Sequence, residues 1–288
     1  MRAGCALPGV GGRGIFAITD PMDVVVKGRR LAVAVGPHAT GLVVSHALPC
    51  VLLHPFPFDG RYFANIAELL EGHALTVVPN FRGVGGSELG GSFSIDDLAD
   101  DLAGVLDHLQ IEQAVVLGLS MGGYVALAFA AKHSHRLRGL VLADTRAGAD
   151  GTEARAGRQT SLDMIRARGV EAFVDAQLPR LLSPQASPGV WQQARALATK
   201  DPAALQAALE ALRDRPDRRD ELPAITCPTL VIVGAEDALT PPAEAAAMTT
   251  SIPQARLVEL PGVGHLSSLE APGPFAEAII GFLGRVSG

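Results

Sequence analysis

The sequence predicts an α/β protein built around a mostly parallel sheet with helices on both faces. Short apolar runs alternate along the chain with longer segments of helical periodicity. The runs are apolar on both faces, as in strands that helices cover from two sides. Such alternation is typical of an α/β fold with right-handed crossovers. It breaks once, over residues 146–222, which carry no strand pattern and predict a helical insertion.

The composition narrows the class of protein. With 288 residues, the chain is long enough to bury a large core. A net charge of −6, no basic run and 5% aromatic residues argue against nucleic acid as a partner. No apolar run is long enough to cross a membrane, so we expect no membrane partner. The three cysteines are far apart and predict reduced thiols in a cytoplasmic protein.

Residues 1–22 are predicted to form a flexible segment, because they are rich in glycine. They lack the apolar stretch of a signal peptide. The segment places Gly9, Gly11 and Gly14 at the spacing of a dinucleotide-binding loop. No strand pattern precedes this motif and no helical pattern follows it, so we expect no dinucleotide cofactor.

The strands follow in order along the chain. The first element is a hairpin over residues 24–35, with its turn at Lys27 and Gly28. Single strands, all expected to be buried, are predicted at residues 50–54, 74–80, 113–120, 137–145, 228–237 and 255–262. The core of the fold therefore comprises residues 23–145 and 223–288, and the insertion comprises residues 146–222.

The clearest helix is predicted over residues 94–109. Its apolar residues recur at helical spacing, and Ser94 stands at the N-cap position. Four aspartates occupy the other face and are expected to be solvated, namely Asp96, Asp97, Asp100 and Asp101.

One serine stands between a predicted strand and a predicted helix. Ser120 is flanked by Gly118 and Gly122 in the stretch VVLGLSMGGYVAL. A sharp turn from strand to helix strains the turning residue and needs glycines nearby, where side chains would clash. This G-x-S-x-G pattern is typical of a nucleophile elbow. The alternative is a serine that only caps the helix.

Two further residues could activate this hydroxyl. Asp237 follows the strand TLVIVG, and His265 follows the last strand, ARLVEL. A serine needs a base to take its proton, and the base needs an acid to orient it. All three residues follow strand ends, so they can meet at one edge of the sheet. Asp144 also follows a strand, but we prefer Asp237 as the acid.

Several segments resemble the α/β-hydrolase superfamily. GLSMGG, GAEDALTPP and PGVGHLSSLEAP resemble its three catalytic segments, and LLHPFPFDGRYF and NFRGVGGSE resemble its oxyanion loop and the segment after the next strand. Within the superfamily the chain is most similar to small esterases, 3-oxoadipate enol-lactonases and cofactor-free perhydrolases. The resemblance implies Ser120 as nucleophile, His265 as general base and Asp237 as acid, with no metal and no organic cofactor.

The resemblance also places the oxyanion hole. It implies the backbone amides of Met121 and Phe56 as the two donors. Pro55 replaces a glycine of the family pattern, so a loop that needs positive φ there would be rearranged. Asn80 replaces an aspartate, which is expected to alter the salt bridge of Arg82.

Other residues are candidates for roles around this site. His54 is expected to stabilise its loop, and Glu270 to anchor the loop after His265. The insertion is expected to lie over the site as a cap with an apolar lining. Its large apolar residues could line a pocket or form a small core of their own, namely Trp191, Phe173, Met164 and Leu178. The candidates for substrate binding are Phe58, Trp191, Leu239 and Leu266.

The leading hypothesis is a serine hydrolase that cleaves short- to medium-chain carboxylic esters or lactones through an acyl-enzyme. The alternatives are a perhydrolase or acyltransferase using the same acyl-enzyme, a carbon–carbon bond hydrolase, and a slow-turnover ligand sensor on the same fold. The partner expected is a small-molecule ester or lactone. The sequence leaves the natural substrate and the oligomeric state open.

Overall fold

The computed structural model describes residues 21–36 and 48–287, which form one eight-stranded sheet in the order β1-β2-β4-β3-β5-β6-β7-β8. Most of the N-terminal segment, with Gly9, Gly11 and Gly14, lies outside the described residues. The strands are β1 (Met22–Val26), β2 (Arg29–Val35), β3 (Pro49–Leu53), β4 (Leu75–Pro79), β5 (Ala114–Leu119), β6 (Leu137–Ala143), β7 (Thr229–Gly234) and β8 (Ala255–Leu260).

The sheet is mostly parallel, as predicted. Only the pairs β1–β2 and β2–β4 are antiparallel among the described strands. The turn between β1 and β2 has positive φ at Lys27 and Gly28, 49° and 81°, the geometry of a two-residue hairpin. The predicted hairpin is therefore confirmed.

Helices cover both faces of the sheet. They are α1 (Ala64–Leu69), α2 (Ile95–His108), α3 (Met121–Lys132), α4 (Thr152–Leu181), α5 (Pro188–Leu197), α6 (Pro202–Asp214), α7 (Pro242–Ser251), α8 (Ser267–Glu270) and α9 (Pro272–Ser287). None of these helices of the described chain is both long and apolar enough to cross a membrane.

Two hydrophobic cores lie on opposite faces of the sheet. Successive side chains of a strand point to opposite faces. In β3, Val51 and Leu53 pack into the core that contains α2 and α3. Cys50 and Leu52 pack into the other core, with α1, α9 and part of the insertion. A strand with cores on both faces is apolar throughout, which explains the patterns seen in the sequence.

The last strand departs from the prediction. β8 lies at the edge of the sheet, paired only with β7, and Arg256, Leu257 and Glu259 are exposed. The expectation that this strand is buried was wrong, because an edge strand has a neighbour on one side only. Its apolar pattern alone does not distinguish an edge from a centre.

Helix α2 begins as predicted. The Ser94 hydroxyl accepts a hydrogen bond from the Asp97 amide at 3.1 Å. The Asp97 carboxylate in turn accepts from the Ser94 amide at 2.8 Å, which completes a capping box. Two of the orphan amides at the helix start are therefore satisfied by side chains.

The solvated face predicted for the α2 aspartates was wrong for Asp101. This residue is buried and accepts two hydrogen bonds from the Arg82 guanidinium, at 2.6 and 2.9 Å. Asn80 does not pair with Arg82. Its side chain accepts from the Gly60 amide at 2.7 Å and donates to the Ala32 carbonyl at 3.1 Å. The carboxylate that pairs with Arg82 therefore comes from Asp101 on α2 and not from position 80.

The segment between β6 and β7 forms three helices, α4 to α6. It contacts the loop after β3, because the Phe173 ring lies 5.9 Å from that of Phe56 and the Thr199 amide donates to the Pro57 carbonyl at 2.8 Å. The sequence left open whether the large apolar residues of this segment line a pocket or form a core. Phe173 and Leu178 are buried in the core, and Met164 and Trp191 pack against it.

Candidate active site

The turn between β5 and α3 has the geometry of a nucleophile elbow. Ser120 adopts φ 54° and ψ −112°, a conformation that L-residues rarely occupy. A Cβ at Gly118 would lie 2.1 Å from the Gly122 carbonyl oxygen, and one at Gly122 would lie 2.0 Å from the Leu53 carbonyl oxygen. Both positions therefore require glycine. The Ser120 side chain caps no helix amide, so the capping alternative is excluded and the hydroxyl can bond elsewhere.

The structure brings the three predicted side chains together. The Ser120 hydroxyl and His265 Nε2 are 2.8 Å apart, and His265 Nδ1 is 2.8 Å from Asp237 Oδ2. Because a carboxylate only accepts, Nδ1 carries the proton and Nε2 is left to accept from the hydroxyl. His265 and Asp237 are buried, and Ser120 is 8% exposed. The hydroxyl is thus hydrogen-bonded to a base in the correct tautomer.

The acid is held ionised by its surroundings. Its Oδ1 accepts from the amides of Leu239 and Thr240, and its Oδ2 accepts from the Thr240 hydroxyl at 2.7 Å. Burial opposes ionisation, but His265 and these donors hold the pKa of Asp237 below its ordinary value. Burial also lowers the pKa of His265, but the charge and hydrogen bond of Asp237 together with the charge of Asp144 outweigh it and leave that pKa raised.

The loop that carries His265 is tied to the insertion. The Glu270 carboxylate accepts from the amides of Gly264 and Ser183, at 3.1 and 3.0 Å. The Leu266 amide also donates to the Leu181 carbonyl. Glu270 therefore anchors the loop after His265, as expected, and joins it to the end of α4.

Asp144 lies in the same buried cluster but takes a different role. It accepts from the Gly234 amide at 2.9 Å and from the Ser267 hydroxyl, and it makes no hydrogen bond to His265 among the described residues. Burial, and then the negative charge of Asp237, raise the pKa of Asp144 to about 7. Of the two acids considered from the sequence, only Asp237 contacts the histidine.

The loop after β3 is fixed by His54. Its Nε2 accepts from the Phe81 amide at 3.1 Å, and its Nδ1 faces the Pro55 carbonyl at 3.2 Å. Burial lowers the pKa of His54 to about 4, so the ring is neutral. Pro55 is not among the residues with positive φ, and the Phe58 amide closes a turn onto its carbonyl. The loop therefore forms without the glycine of the family pattern.

Two backbone amides near Ser120 make no hydrogen bond to other described residues. They belong to Phe56 and Met121, which line one small cavity together. Phe56 also lines the cavity that contains Ser120. These are the amides that the resemblance implies as oxyanion donors.

A cavity of about 430 Å³ opens beside Ser120. Its walls include Phe56, Tyr124 and Leu239 on the sheet side, and Arg146, Glu153, Arg158 and Arg180 on the insertion side. The apolar lining expected for the insertion was therefore wrong. Arginines that read as exterior residues in the sequence face the cavity, because the helices of the insertion fold back over Ser120.

Of the four candidates for substrate binding, Leu239 lines this cavity. Phe58 and Leu266 are buried in the core instead, and Trp191 packs against that core. Large apolar residues in loops and helices signal burial, and the sequence alone does not say whether they pack in a core or line a cavity. No sequence motif marks the arginines of the insertion as residues that line a cavity.

A family model matches the part of the chain that carries this site. A model described as the alpha/beta hydrolase fold matches residues 49–272. The chain belongs to the α/β hydrolase fold family. The matched residues contain Ser120, Asp237 and His265, together with the whole insertion. The fold class predicted from the sequence is therefore confirmed.

Two curated α/β hydrolases illustrate the similarity. The chain is 30% identical over 226 residues to 3-oxoadipate enol-lactonase 2 of Acinetobacter baylyi, covering 77% of this chain and 79% of that protein. It is also 30% identical over 238 residues to the pimeloyl-[acyl-carrier protein] methyl ester esterase of Chromobacterium violaceum, covering 80% of this chain and 91% of that protein.

Solved structures show the same similarity over almost the full length. A thermophilic esterase from Thermogutta terrifontis matches with a TM-score of 0.83 and 36% identity, covering 94% of this chain and 99% of that one. The enol-lactonase from Burkholderia xenovorans LB400 matches with a TM-score of 0.82 and 29% identity, covering 91% and 100%.

Proposed function

We propose that the protein is a serine hydrolase that cleaves carboxylic esters or lactones through an acyl-enzyme. The observation that carries the proposal is the continuous chain of hydrogen bonds from Ser120 through His265 to Asp237. Such a chain is what a hydroxyl needs to act as a nucleophile near neutral pH. The esterases and enol-lactonases similar to this chain support the same class of substrate.

In the proposed first half-reaction, Ser120 attacks the ester carbonyl while His265 Nε2 takes the hydroxyl proton. The Asp237 carboxylate stabilises the imidazolium that forms. The amides of Phe56 and Met121 donate to the oxyanion, which is worth several kcal/mol for such donors. His265 then protonates the leaving alcohol, and the acyl group remains on the Ser120 oxygen.

In the second half-reaction, His265 takes a proton from water, which attacks the acyl carbonyl. The bond between the acyl carbon and the Ser120 oxygen then breaks, His265 returns the proton to that oxygen, and the acid is released. We propose that residues 146–222 act as a cap that shapes the cavity in which this occurs. Peroxide or an alcohol would attack the same acyl-enzyme, and a slow deacylation would give a sensor. No contact of the described residues favours any of these over water.

The test is hydrolysis of 4-nitrophenyl esters from acetate to decanoate by the purified protein and two variants. Ser120→Ala should lower kcat by about 10⁴-fold or more, because the nucleophile is lost. Ser251→Ala is the matched control, since Ser251 lies at the exposed end of α7, outside the cavity lining, and its hydroxyl donates to the Ala247 carbonyl of its own helix. It should stay within about twofold of the unmodified protein. Equal rates for Ser120→Ala and the unmodified protein would overturn the proposal.

A further inference from the structure

The cavity beside Ser120 has a strongly cationic wall. Three arginines of the insertion line it, Arg146, Arg158 and Arg180, against one carboxylate, Glu153. An enzyme for neutral apolar esters has no need of such charge, which costs free energy wherever it is kept away from water. The charge of this wall therefore bears on the charge of the substrate that binds there.

One buried acid organises part of this wall. The Asp150 side chain has no exposed surface and pairs with Arg146, Arg158 and Arg215. Three guanidinium groups share this single carboxylate, so the cluster around Asp150 is cationic, offset in part by Glu153 on the same wall and by Glu244, whose charge acts on Arg146. Arg215 is engaged through its terminal groups, because they also donate to the carbonyls of Leu212 and Gly148, while its buried Nε makes no hydrogen bond to the described residues. Its role is structural.

Arg158 is held differently. Only its Nε donates to Asp150, at 3.1 Å, and its two terminal NH₂ groups make no hydrogen bond to the described residues. The side chain is 21% exposed and lines the cavity. A guanidinium fixed through Nε keeps its terminal fork available for the two oxygens of a carboxylate. Arg158 also shares its cavity with the reaction centre, because Ser120 lines the same cavity.

A break in α4 brings a second cation to the same cavity. Along a straight helix, Arg158 and Arg180 would be separated by roughly 33 Å. The helix is broken at Gly169, which has φ 83°, so that its two arms face one cavity. Arg180 is exposed and has no ion pair within the described part of the chain.

We propose that the substrate is an ester that also bears a free carboxylate, and that Arg158 binds this carboxylate while Arg180 attracts it at the cavity mouth. The inference rests on the proposed function. Half-esters of short dicarboxylic acids have the required chemistry and suit a cavity of about 430 Å³. Hydrolysis adds one water across the ester C–O bond and yields the dicarboxylic acid and the alcohol. The bound carboxylate itself is unchanged.

The experiment compares two esters of equal length. Monoethyl adipate carries a carboxylate, and ethyl adipamate carries a neutral amide in its place. Hydrolysis is followed by pH-stat, and the readout is the ratio of the two kcat/KM values. For the unmodified protein this ratio should favour the half-ester by at least about tenfold, mainly through KM. A ratio near one would overturn the proposal.

The variants separate binding from folding. Arg158→Gln should lower the ratio by about tenfold, toward one, because the hydrogen bonds to the charged carboxylate are lost. Arg180→Gln, which breaks no ion pair, should lower it by about threefold. Arg166→Gln is the matched control, because Arg166 lies on α4 and pairs with Asp163 outside the cavity lining. If Arg158→Gln lowered both kcat/KM values alike, its role would be structural and the proposal would fail.

A binding measurement keeps this inference distinct from the proposed function. In Ser120→Ala, calorimetry should detect monoethyl adipate, and Ser120→Ala with Arg158→Gln should not. Binding without hydrolysis in the unmodified protein would contradict the function and retain the anion site. Hydrolysis of both esters without preference would retain the function and reject the anion site. Glutarate should also inhibit more strongly than inorganic phosphate at equal ionic strength; equal inhibition would rule out a site built for a carboxylate.

Discussion

The two walls of the cavity differ in the burial and hydrogen bonding of their polar side chains. On the sheet side, Ser120, His265 and Asp237 are buried, and their polar atoms bond to one another or to backbone amides. On the insertion side, Arg158 and Arg180 are partly exposed and keep donors that no described residue uses. Apart from the Phe56 and Met121 amides, the polar groups of the first wall are paired within the described chain, whereas those of the second are not all paired. In the proposed function, the sheet side supplies the chemistry and the insertion side selects the substrate.

The largest effect that would test this division is loss of the acid on the sheet side. Asp237→Asn should lower kcat by about 10³- to 10⁴-fold, because the neutral amide no longer stabilises the imidazolium or fixes the tautomer of His265. Steady-state hydrolysis of a 4-nitrophenyl ester measures it. The decrease in kcat should be the same for neutral and anionic esters. A decrease for anionic esters alone would show that the two walls do not have separate roles.

The second effect concerns the folding of the insertion side. Asp150→Asn should lower the free energy of unfolding by about 3–5 kcal/mol, because three guanidinium groups lose their only shared carboxylate. Urea denaturation measures it. Asp163→Asn is the control, since this exposed acid pairs with Arg166 on the surface and should cost less than about 1 kcal/mol. Equal costs for the two variants would show that Asp150 does not organise the wall.

The third effect is the pH dependence of the sheet side. The proposed mechanism needs neutral His265, whose pKa is raised because the charge and hydrogen bond of Asp237 and the charge of Asp144 together outweigh burial. The value of kcat/KM for a neutral ester should therefore fall as pH drops below a midpoint above about 6.5. In Asp237→Asn the midpoint should move to lower pH. A midpoint that stayed in place would show that another group controls the rate.

The smallest predicted effect is the contribution of Asp144, the second buried acid, to the pH dependence of stability. Because burial and the charge of Asp237 raise the pKa of Asp144 to about 7, the folded state binds its proton more tightly than the unfolded chain does. This contribution to stability is present at about pH 4 and is lost as pH rises toward 7. His54, with a pKa lowered by burial to about 4, acts in the opposite direction over the same range.

Thermal unfolding between pH 4 and 8 isolates the contribution of Asp144. In Asp144→Asn the stability should fall less steeply with rising pH than in the unmodified protein, because the titrating group is gone. The kcat of this variant should fall far less than that of Asp237→Asn. A loss of kcat as large as that of Asp237→Asn would show that Asp144 orients His265 after all.

The sheet side could be predicted from the sequence because its signals are local. Ser120, Asp237 and His265 each follow a strand, and strand ends of a parallel sheet meet at one edge. The insertion side could not be predicted, because its contacts join residues without a periodic pattern. Asp150 and Arg215 are far apart in the chain, so no local pattern pairs them. In sequence each of these charges looks like a solvated surface residue.

The most direct test of the central claim is to trap the acyl-enzyme. The protein is mixed with 4-nitrophenyl acetate, quenched in acid within the first turnover, digested and analysed by mass spectrometry. One acetyl group per chain is expected on the peptide that contains Ser120, and none in Ser120→Ala. Acetylation at another residue, or turnover by the Ser120→Ala protein, would contradict it.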